Sequence, residues 1–325
     1  MVSANTGRPG ADVNSDSPSV LYTRASSINR ALDQIGDKWC LLIIQEVFWG
    51  INNFNGMLNA TGVSRGVLSD RLKWLQVIGC LRKRAPQAGH RFSSYHLTQK
   101  SLRLHASAMM AIEWERKYYR TPQLDAIQLI HADCGKAFTP WMRCASCNGA
   151  INAREVRYSP GPGATWDQRQ KKVRRRSSLS SSRVPSQHSV YRNLINLVGD
   201  RWTANIIALA FHGHSRFDDF LKELPVATNI LSDRLKLLEN EGIFAAQAYQ
   251  QRPRRCEYHL TAKGWDLFPY FLTLLQWGDR WCDPQDLGPP MNLMHRPCAK
   301  PLSGEVVCNS CDGLLAPFTV SITLA

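Results

Sequence analysis

The hexapeptide LSDRLK occurs twice in this chain, at Leu68–Lys73 and at Leu231–Lys236, 163 positions apart. The same offset relates IGDKWCLLII at Ile35–Ile44 to VGDRWTANII at Val198–Ile207, and YHLT recurs further along in the same order. Offset and order hold over roughly ninety positions, a period much longer than that of a solenoid repeat. The chain therefore contains a tandem duplication of a whole domain.

Each copy has the same predicted order of elements. A long helix with apolar periodicity, at Ile28–Phe48 or Val190–Phe211, precedes a short helix that begins near Phe54 or Phe217. The LSDRLK helix follows, then two extended runs that form a hairpin, then a closing helix. This is the order of a winged helix-turn-helix. We predict a mainly α fold with small β-hairpins, in the α+β class, with two winged helix-turn-helix domains.

The two LSDRLK helices each have an apolar face and a polar face. The inward stripes consist of leucines: Leu68, Leu72 and Leu75 in the first copy, and Leu231, Leu235 and Leu238 in the second. On the outward face, the first turn can reach base edges while basic residues further along meet phosphates. An ordinary amphipathic surface helix has the same pattern, but the preceding short helix and the basic hairpin favour DNA binding.

The candidate DNA contacts form two groups. The candidate base readers are Arg65, Ser69, Thr228, Asn229 and Ser232. The candidate phosphate or wing contacts are Arg71, Lys73, Arg91, Arg234, Lys236, Arg252, Arg254 and Arg255. Arginines at the hairpin tips would lie over the DNA backbone or the minor groove, although a solubilising loop tip has the same composition.

The overall charge limits the class of partner. The 325 residues include 40 Lys+Arg and 26 Asp+Glu, a net charge of +14, which favours a polyanionic partner. No stretch approaches the ~18 apolar residues of a membrane-spanning helix, so we expect no membrane partner. The polar first 20 residues predict a disordered leader and not a secretory signal. We expect a cytoplasmic, nucleoid-associated protein.

Several motifs together resemble a known family. IGDKW, the Phe-x-x-x-Leu helix, LSDRLK, EYHLT, KGWDLFPY and QWGDRW are similar to those of the HxlR-type winged-helix transcription regulators, which are related to the MarR group. The resemblance covers Ser26–Tyr119 and Ser189–Cys282. The second copy is the closer match, because the first has Ser101 in place of a glycine and Ser94 in place of a glutamate. The resemblance implies a dimeric DNA-binding repressor or activator.

A pattern of possible metal ligands follows each copy. The first set is His131, Cys134, Cys144 and Cys147, and the second, at identical spacing, is His295, Cys298, Cys308 and Cys311. Two short loops with two N or S ligands each can form the tetrahedron that zinc prefers. We predict two structural zinc sites, one in each zinc-ribbon-like Cys3His module, with Gly149 and Gly313 allowing a tight turn. A metal-free fold with buried thiols and a redox pair of Cys144 and Cys147 are the alternatives.

The predicted domain organisation follows from these patterns. It comprises a leader (1–20), a winged domain (22–120), a Cys/His module (121–158), a linker (159–187), a second winged domain (188–282) and a second Cys/His module (283–325). Residues 159–187 are rich in Pro, Gly, Ser and Arg, so they have little to bury, and we predict a flexible basic linker.

The combined prediction is a sequence-specific transcriptional repressor that binds double-stranded DNA. Its winged domains would pair within one chain as a pseudo-dimer or between chains as a homodimer. The alternative is a winged-helix scaffold for protein or RNA, with structural zinc and no catalysis. We expect no enzyme, because the sequence has no phosphate loop, nucleophile elbow or dinucleotide fingerprint. A small-molecule effector stays open, since Trp114 and Trp277 suit either a pocket or, as we predict, core packing.

Overall fold

The computed structural model describes residues 21–86, 92–169, 190–252 and 254–324. The predicted leader, the wing residue Arg91 and most of the predicted linker, residues 170–187, lie outside these ranges. Within them, no helix combines the length and apolar character needed to cross a bilayer.

The first copy contains the predicted winged-helix elements after a short leading strand. These are β1 Leu21–Arg24, α1 Ser27–Ile35, α2 Lys38–Phe48, α3 Phe54–Thr61, α4 Arg65–Val77, β2 Leu81–Arg84, β3 Ser94–Leu97, α5 Gln99–Leu102 and α6 His105–Tyr118. Strands β2 and β3 pair antiparallel and form the wing. The LSDRLK motif lies in α4, the second helix of the helix-turn-helix.

The remaining elements are a first tail, the second copy and a second tail. The first tail contains α7 Pro122–Asp125, β4 Ile127–His131, β5 Lys136–Ala137, β6 Pro140–Cys144, β7 Val156–Pro160 and β8 Trp166–Arg169. The second copy contains α8 Arg192–Val198, α9 Arg201–Phe211, α10 Phe217–Glu223, α11 Thr228–Asn240, β9 Phe244–Gln251, β10 Arg254–Leu260, α12 Ala262–Trp265 and α13 Phe268–Trp281. The second tail contains β11 Met291–His295, β12 Lys300–Pro301, β13 Gly304–Cys308 and β14 Val320–Leu324.

The single long helix predicted at the start of each copy is divided into two helices. Asp37 caps α2 by accepting hydrogen bonds from two backbone N–H groups, and Asp200 caps α9 in the same way. An aspartate N-cap begins a new helix, and its own backbone is extended. Apolar periodicity continues across this break, which is why the periodic pattern alone merged the two helices.

The strands of the two tails pair with each other. Strand β4 pairs antiparallel with β14, β6 with β13, and β7 with β11. Each of these pairs joins a strand of the first tail to a strand of the second. The two tails therefore form one interlocked structure, which differs from the prediction of two independent Cys/His modules.

Part of the predicted flexible linker is ordered. Strand β8 pairs antiparallel with β1, which precedes the first winged domain. Between β7 and β8, the N–H of Gly161 donates to the carbonyl of Pro290 at 2.9 Å, and the N–H of Gly163 donates to that of Pro289 at 3.1 Å. Glycine allows this close backbone approach because it has no Cβ. The segment between β7 and β8 therefore packs against the start of the second tail.

The two copies share a single hydrophobic core, in which buried side chains from both are in contact. The interface contains a reciprocal pair of contacts. Trp114 Nε1 donates to the Lys263 carbonyl at 3.0 Å, and Trp277 Nε1 donates to the Lys100 carbonyl at 2.8 Å. Both tryptophans are buried, so core packing accounts for them as predicted. Each copy therefore makes the same tryptophan contact with the other copy.

The two halves of this interface use different chemistry at equivalent positions. In α6, Glu115 accepts hydrogen bonds from the backbone of Asn193 and Leu194 at the start of α8. The corresponding residue of α13 is Gly278, which lies against α1. A Cβ built on Gly278 would lie 2.2 Å from the carbonyl oxygen of Ser27, much closer than van der Waals contact. The symmetry is therefore broken where α13 meets α1.

We expect Gly278→Ala to lower the free energy of unfolding by about 1–3 kcal/mol, because the added methyl group overpacks the contact between α13 and α1. A matched control is Gly66→Ala in α4, where a Cβ would have no neighbour within 4 Å. The control should raise stability by about 0.5–1 kcal/mol through helix propensity alone. Chemical denaturation of the two variants measures both values. If the two substitutions changed the free energy of unfolding in the same direction, the result would contradict the close approach at Gly278.

Candidate nucleic-acid interface and metal centres

The inward faces of α4 and α11 hold these helices firmly in the domain. The six leucines predicted to face inward, Leu68, Leu72, Leu75, Leu231, Leu235 and Leu238, are all 1% exposed or less. In the first copy, Trp74 Nε1 also donates to the Gln34 carbonyl of α1 at 2.8 Å. The roll of each helix about its axis is therefore fixed, and its polar face is directed away from the core.

The outward faces of both helices are open to solvent. The predicted base readers Arg65, Thr228, Asn229 and Ser232 are exposed, and Ser69 is half-buried. Lys73 and Lys236 are exposed one turn further along. These residues occupy equivalent positions at offset 163, so the chain presents two similar polar helical faces.

Arg71 and Arg234, two of the predicted phosphate contacts, point into the protein instead. Arg71 pairs with Asp37 and Arg234 with Asp200, both at 2.8 Å, and the side chain of Arg234 is only 10% exposed. These arginines join α4 or α11 to the capped start of α2 or α9. The prediction assigned both arginines to phosphate contacts, because sequence alone does not reveal the aspartate partner 34 residues earlier.

The wings carry further exposed basic residues. Arg252, Arg254 and Arg255 are exposed at the β9–β10 turn, and Arg255 lies 3.9 Å from Asp218. The first wing adds three exposed residues that the prediction missed, namely Arg82, Lys83 and Arg84 of β2. The sequence could have predicted their exposure, because a strand of four residues with three consecutive cations cannot bury all of them.

The eight predicted metal ligands form two groups, but not the groups predicted. One group is His131, Cys134, Cys308 and Cys311, and the other is Cys144, Cys147, His295 and Cys298. Each group takes two ligands from the first tail and two from the second. All eight residues belong to one of the two groups, but the spacing predicted the wrong partners, because the tail strands pair between copies.

Each group can place four ligand atoms around one metal ion. Within each group the sulfur and nitrogen atoms lie within 4.8 Å of one another. His131 Nδ1 is 3.2 Å from Cys311 Sγ and 3.6 Å from Cys134 Sγ. In the second group, His295 Nδ1 is 3.5 Å from Cys147 Sγ and 3.4 Å from Cys298 Sγ. Both imidazole rings are buried, so their orientation is fixed by packing.

The turns after the cysteines are tight, although not for the reason predicted. The positive φ angles occur at Asn148 (57°) and Asp312 (56°), one residue before the glycines. Gly313 is required by space, because its Cβ would lie 2.9 Å from His131 Cε1. Gly149 is less crowded, with Cys147 Sγ at 3.4 Å. The glycines therefore allow close approach to the ligand side chains.

The backbone around the first group favours a thiolate. The N–H of Lys136 donates a hydrogen bond to Cys134, and this lowers the pKa of the Cys134 thiol to about 7. Hydrogen bonds to the charged form of a thiol stabilise it. A thiolate is the form in which cysteine binds metals.

Comparison with known proteins agrees with the duplication. A family model described as HxlR-like helix-turn-helix matches the chain twice, at residues 34–123 and 197–286. The chain is 38% identical over 117 residues to Rv3095 of Mycobacterium tuberculosis, which is described as an uncharacterized HTH-type transcriptional regulator. That match covers 36% of this chain and 73% of the relative.

A second relative is the HTH-type transcriptional regulator YodB of Bacillus subtilis. The two are 30% identical over 109 residues, which is 33% of this chain and 94% of YodB. Among solved structures, the reduced form of YodB is 32% identical, covers 30% of this chain and 95% of that chain, and has a TM-score of 0.27. The matched part of each relative is about the length of one copy, so this chain contains two such units.

Proposed function

The chain belongs to the HxlR-like helix-turn-helix family, and from that premise we propose that it is a sequence-specific repressor that binds double-stranded DNA. The observation that carries the proposal is the exposure of the polar faces of α4 and α11 at equivalent positions on one chain. A helix with a free polar face and a basic wing beside it suits the major groove and the adjacent backbone. We infer no catalytic role for these faces.

The residues of each face divide into base readers and phosphate contacts. Arg65 and Ser69 would read one half-site, and Thr228, Asn229 and Ser232 would read the other. Lys73 and Lys236 would meet phosphates beyond the first turn. The wings would contribute Arg252, Arg254 and Arg255 in one copy, and Arg82, Lys83 and Arg84 in the other. Arg71 and Arg234 are left out, because their guanidinium groups already pair with aspartates.

We propose that the two copies read DNA together as an intramolecular pseudo-dimer. A single winged-helix domain ordinarily presents two recognition helices by dimerising, and the spacing of the half-sites follows from the two-fold axis. Here the shared core and the reciprocal Trp114 and Trp277 contacts support pairing within one chain. One chain would then occupy one operator with two half-sites.

The two Cys/His groups suit zinc. Three thiols and one imidazole form a soft N/S donor set, and a group that supplies all four ligands matches a structural site rather than a catalytic one. The protein would use the ions to stabilise the tails. No step of DNA recognition requires the ion to touch DNA.

In vitro selection from random duplex DNA tests the proposed function. We expect an imperfect palindrome, because arginine favours guanine and asparagine favours adenine in the major groove, and Arg65 and Asn229 lie at the start of the two helices. Replacing Asn229 with glycine, the residue of the first copy at this position, should change the preference in one half-site only. A perfectly symmetric consensus would contradict reading by two different helices of one chain.

A further inference from the structure

The pairing of ligands across the two copies gives the Cys/His groups a second role. We propose that each group binds one metal ion through two ligands from each tail, and that the two ions bridge the winged-helix copies in the arrangement that reads DNA. This inference deepens the proposed zinc sites and rests on them. Its first test does not depend on DNA binding.

The distances between the nitrogen and sulfur donor atoms are close to those in a tetrahedral metal site. A tetrahedral site with Zn–S bonds of about 2.3 Å and a Zn–N bond of about 2.0 Å has edges of roughly 3.5–3.8 Å. The distances from His Nδ1 to neighbouring Sγ atoms in the two groups are 3.2–3.6 Å. Small adjustments of side chains would therefore complete both tetrahedra.

Disulfide bonding explains the groups less well. Each group contains three cysteines, so one thiol in each would remain unpaired after a disulfide formed. Each group also includes a buried histidine with Nδ1 directed at the sulfur atoms. A metal ion uses all four residues of each group, and a disulfide uses two.

The tails connect these sites to the helices that join the copies. Gln276 of α13 accepts a hydrogen bond from the N–H of Gly304 and donates to its carbonyl, both at 3.2 Å. Arg143 of β6 pairs with Glu305 of β13 at 3.1 Å. Helix α13 also carries Trp277, which contacts the other copy. One ion would join Cys308 at the end of β13 to His131 at the end of β4, and the other would join Cys144 at the end of β6 to His295 at the end of β11. Together the two ions would hold β6 and β13 within one body of paired strands, and through α13 they would stabilise the relative position of α4 and α11.

Pairs of cysteine substitutions distinguish this arrangement from one site per tail. Cys134→Ala/Cys311→Ala removes ligands from a single bridging site, so the full-length chain should retain about one zinc ion instead of about two. Cys134→Ala/Cys147→Ala removes ligands from both bridging sites, so it should retain none. Sites formed within each tail would give the reverse result and overturn the proposal. Metal is measured by mass spectrometry after gel filtration in the presence of zinc.

The design includes controls for folding and for the thiol content. The substitutions avoid the buried Cys144 and Cys308, and helical circular dichroism reports whether each variant folds. If the variant that lacks both sites unfolds, two other variants still distinguish the arrangements, namely Cys134→Ala/Cys311→Ala and Cys147→Ala/Cys298→Ala. Bridging sites predict that each of them keeps one zinc ion, whereas sites within each tail predict that each loses both. Cys256→Ala lies outside both groups and should keep two ions. A native chain that binds no zinc would also overturn the proposal.

DNA binding tests the bridging role separately. For Cys147→Ala/Cys298→Ala we expect at least a tenfold weaker affinity for the selected duplex, since the two helices lose their fixed arrangement. Unchanged affinity in this variant would overturn the bridging role. If the native chain bound two ions and no duplex, the proposed function would fail while the assignment of the metal ligands would stand.

Discussion

Replacing both Lys73 and Lys236 with glutamate is expected to weaken binding to the cognate duplex roughly a hundredfold or more. Both side chains are exposed on the outward faces of α4 and α11, and a like charge placed against a phosphate costs several kcal/mol at an interface. The slope of log affinity against log salt should become shallower by about 1.8, or about 0.9 for each phosphate that the protein no longer neutralises. Fluorescence anisotropy on a labelled duplex at several salt concentrations measures both quantities.

The matched control is Arg157→Glu/Arg280→Glu, which changes the net charge by the same amount. Both arginines are exposed, but they lie on β7 and at the end of α13, outside the recognition helices and the wings. At physiological salt, charges are screened beyond about 8 Å, so affinity should change less than about fivefold. Equal reductions in affinity in the two variants would mean that total charge, and not the faces of α4 and α11, determines DNA binding.

If the duplex did not bind the native chain while a protein partner did, the scaffold alternative would replace the proposed function.

Asp200→Asn is expected to lower the free energy of unfolding by about 3–5 kcal/mol. Asparagine can still cap α9, but it leaves the Arg234 cation buried without its charged partner, and breaking a buried ion pair has a cost of this size. The side chains of Arg234 and Asp200 are only 10% and 8% exposed. The free energy follows from chemical denaturation monitored by circular dichroism.

Asp37→Asn in the first copy provides an internal comparison. Asp37 makes the same ion pair and the same helix cap, but its side chain is 36% exposed. The remaining charge is that of Arg71, whose side chain is 15% exposed, and water reaches this pair from the side of residue 37. The expected decrease is therefore smaller, about 1 kcal/mol. In the second copy, adding Arg234→Met to Asp200→Asn should recover part of the stability, because the unpaired charge is removed. An equal decrease at Asp37 and Asp200 would show that burial does not set the cost.

Local patterns predicted the winged-helix elements well, and long-range pairing limited the prediction of the rest. The leucine stripe of α4 and the strands of both wings follow from short-range periodicity and turn residues. The division between α1 and α2 depends on Asp37, whose capping role was present in the sequence but was outweighed by apolar periodicity. Arg234 was predicted to contact phosphate, because its partner Asp200 lies 34 residues earlier, at the N-cap of α9.

The metal ligands show the same limit more clearly. Cysteine and histidine spacing identified all eight residues, since the donor types are distinctive. Spacing cannot tell which four residues meet, because that depends on the pairing of β4 with β14 and of β6 with β13. Two repeats of equal sequence spacing are equally compatible with separate and exchanged arrangements. Only the three-dimensional pairing of the tails distinguishes them.

The interlocked tails also have a consequence for synthesis on the ribosome. His131 and Cys311 meet in one group although they are 180 residues apart. At about 5–20 residues per second, the interval between their synthesis is roughly 10 to 35 seconds. During that time β6 and β7 have been made and their partners β13 and β11 have not. The first tail can therefore be completed only after the second tail has been made, and its strands β6 and β7 lack their partners until then.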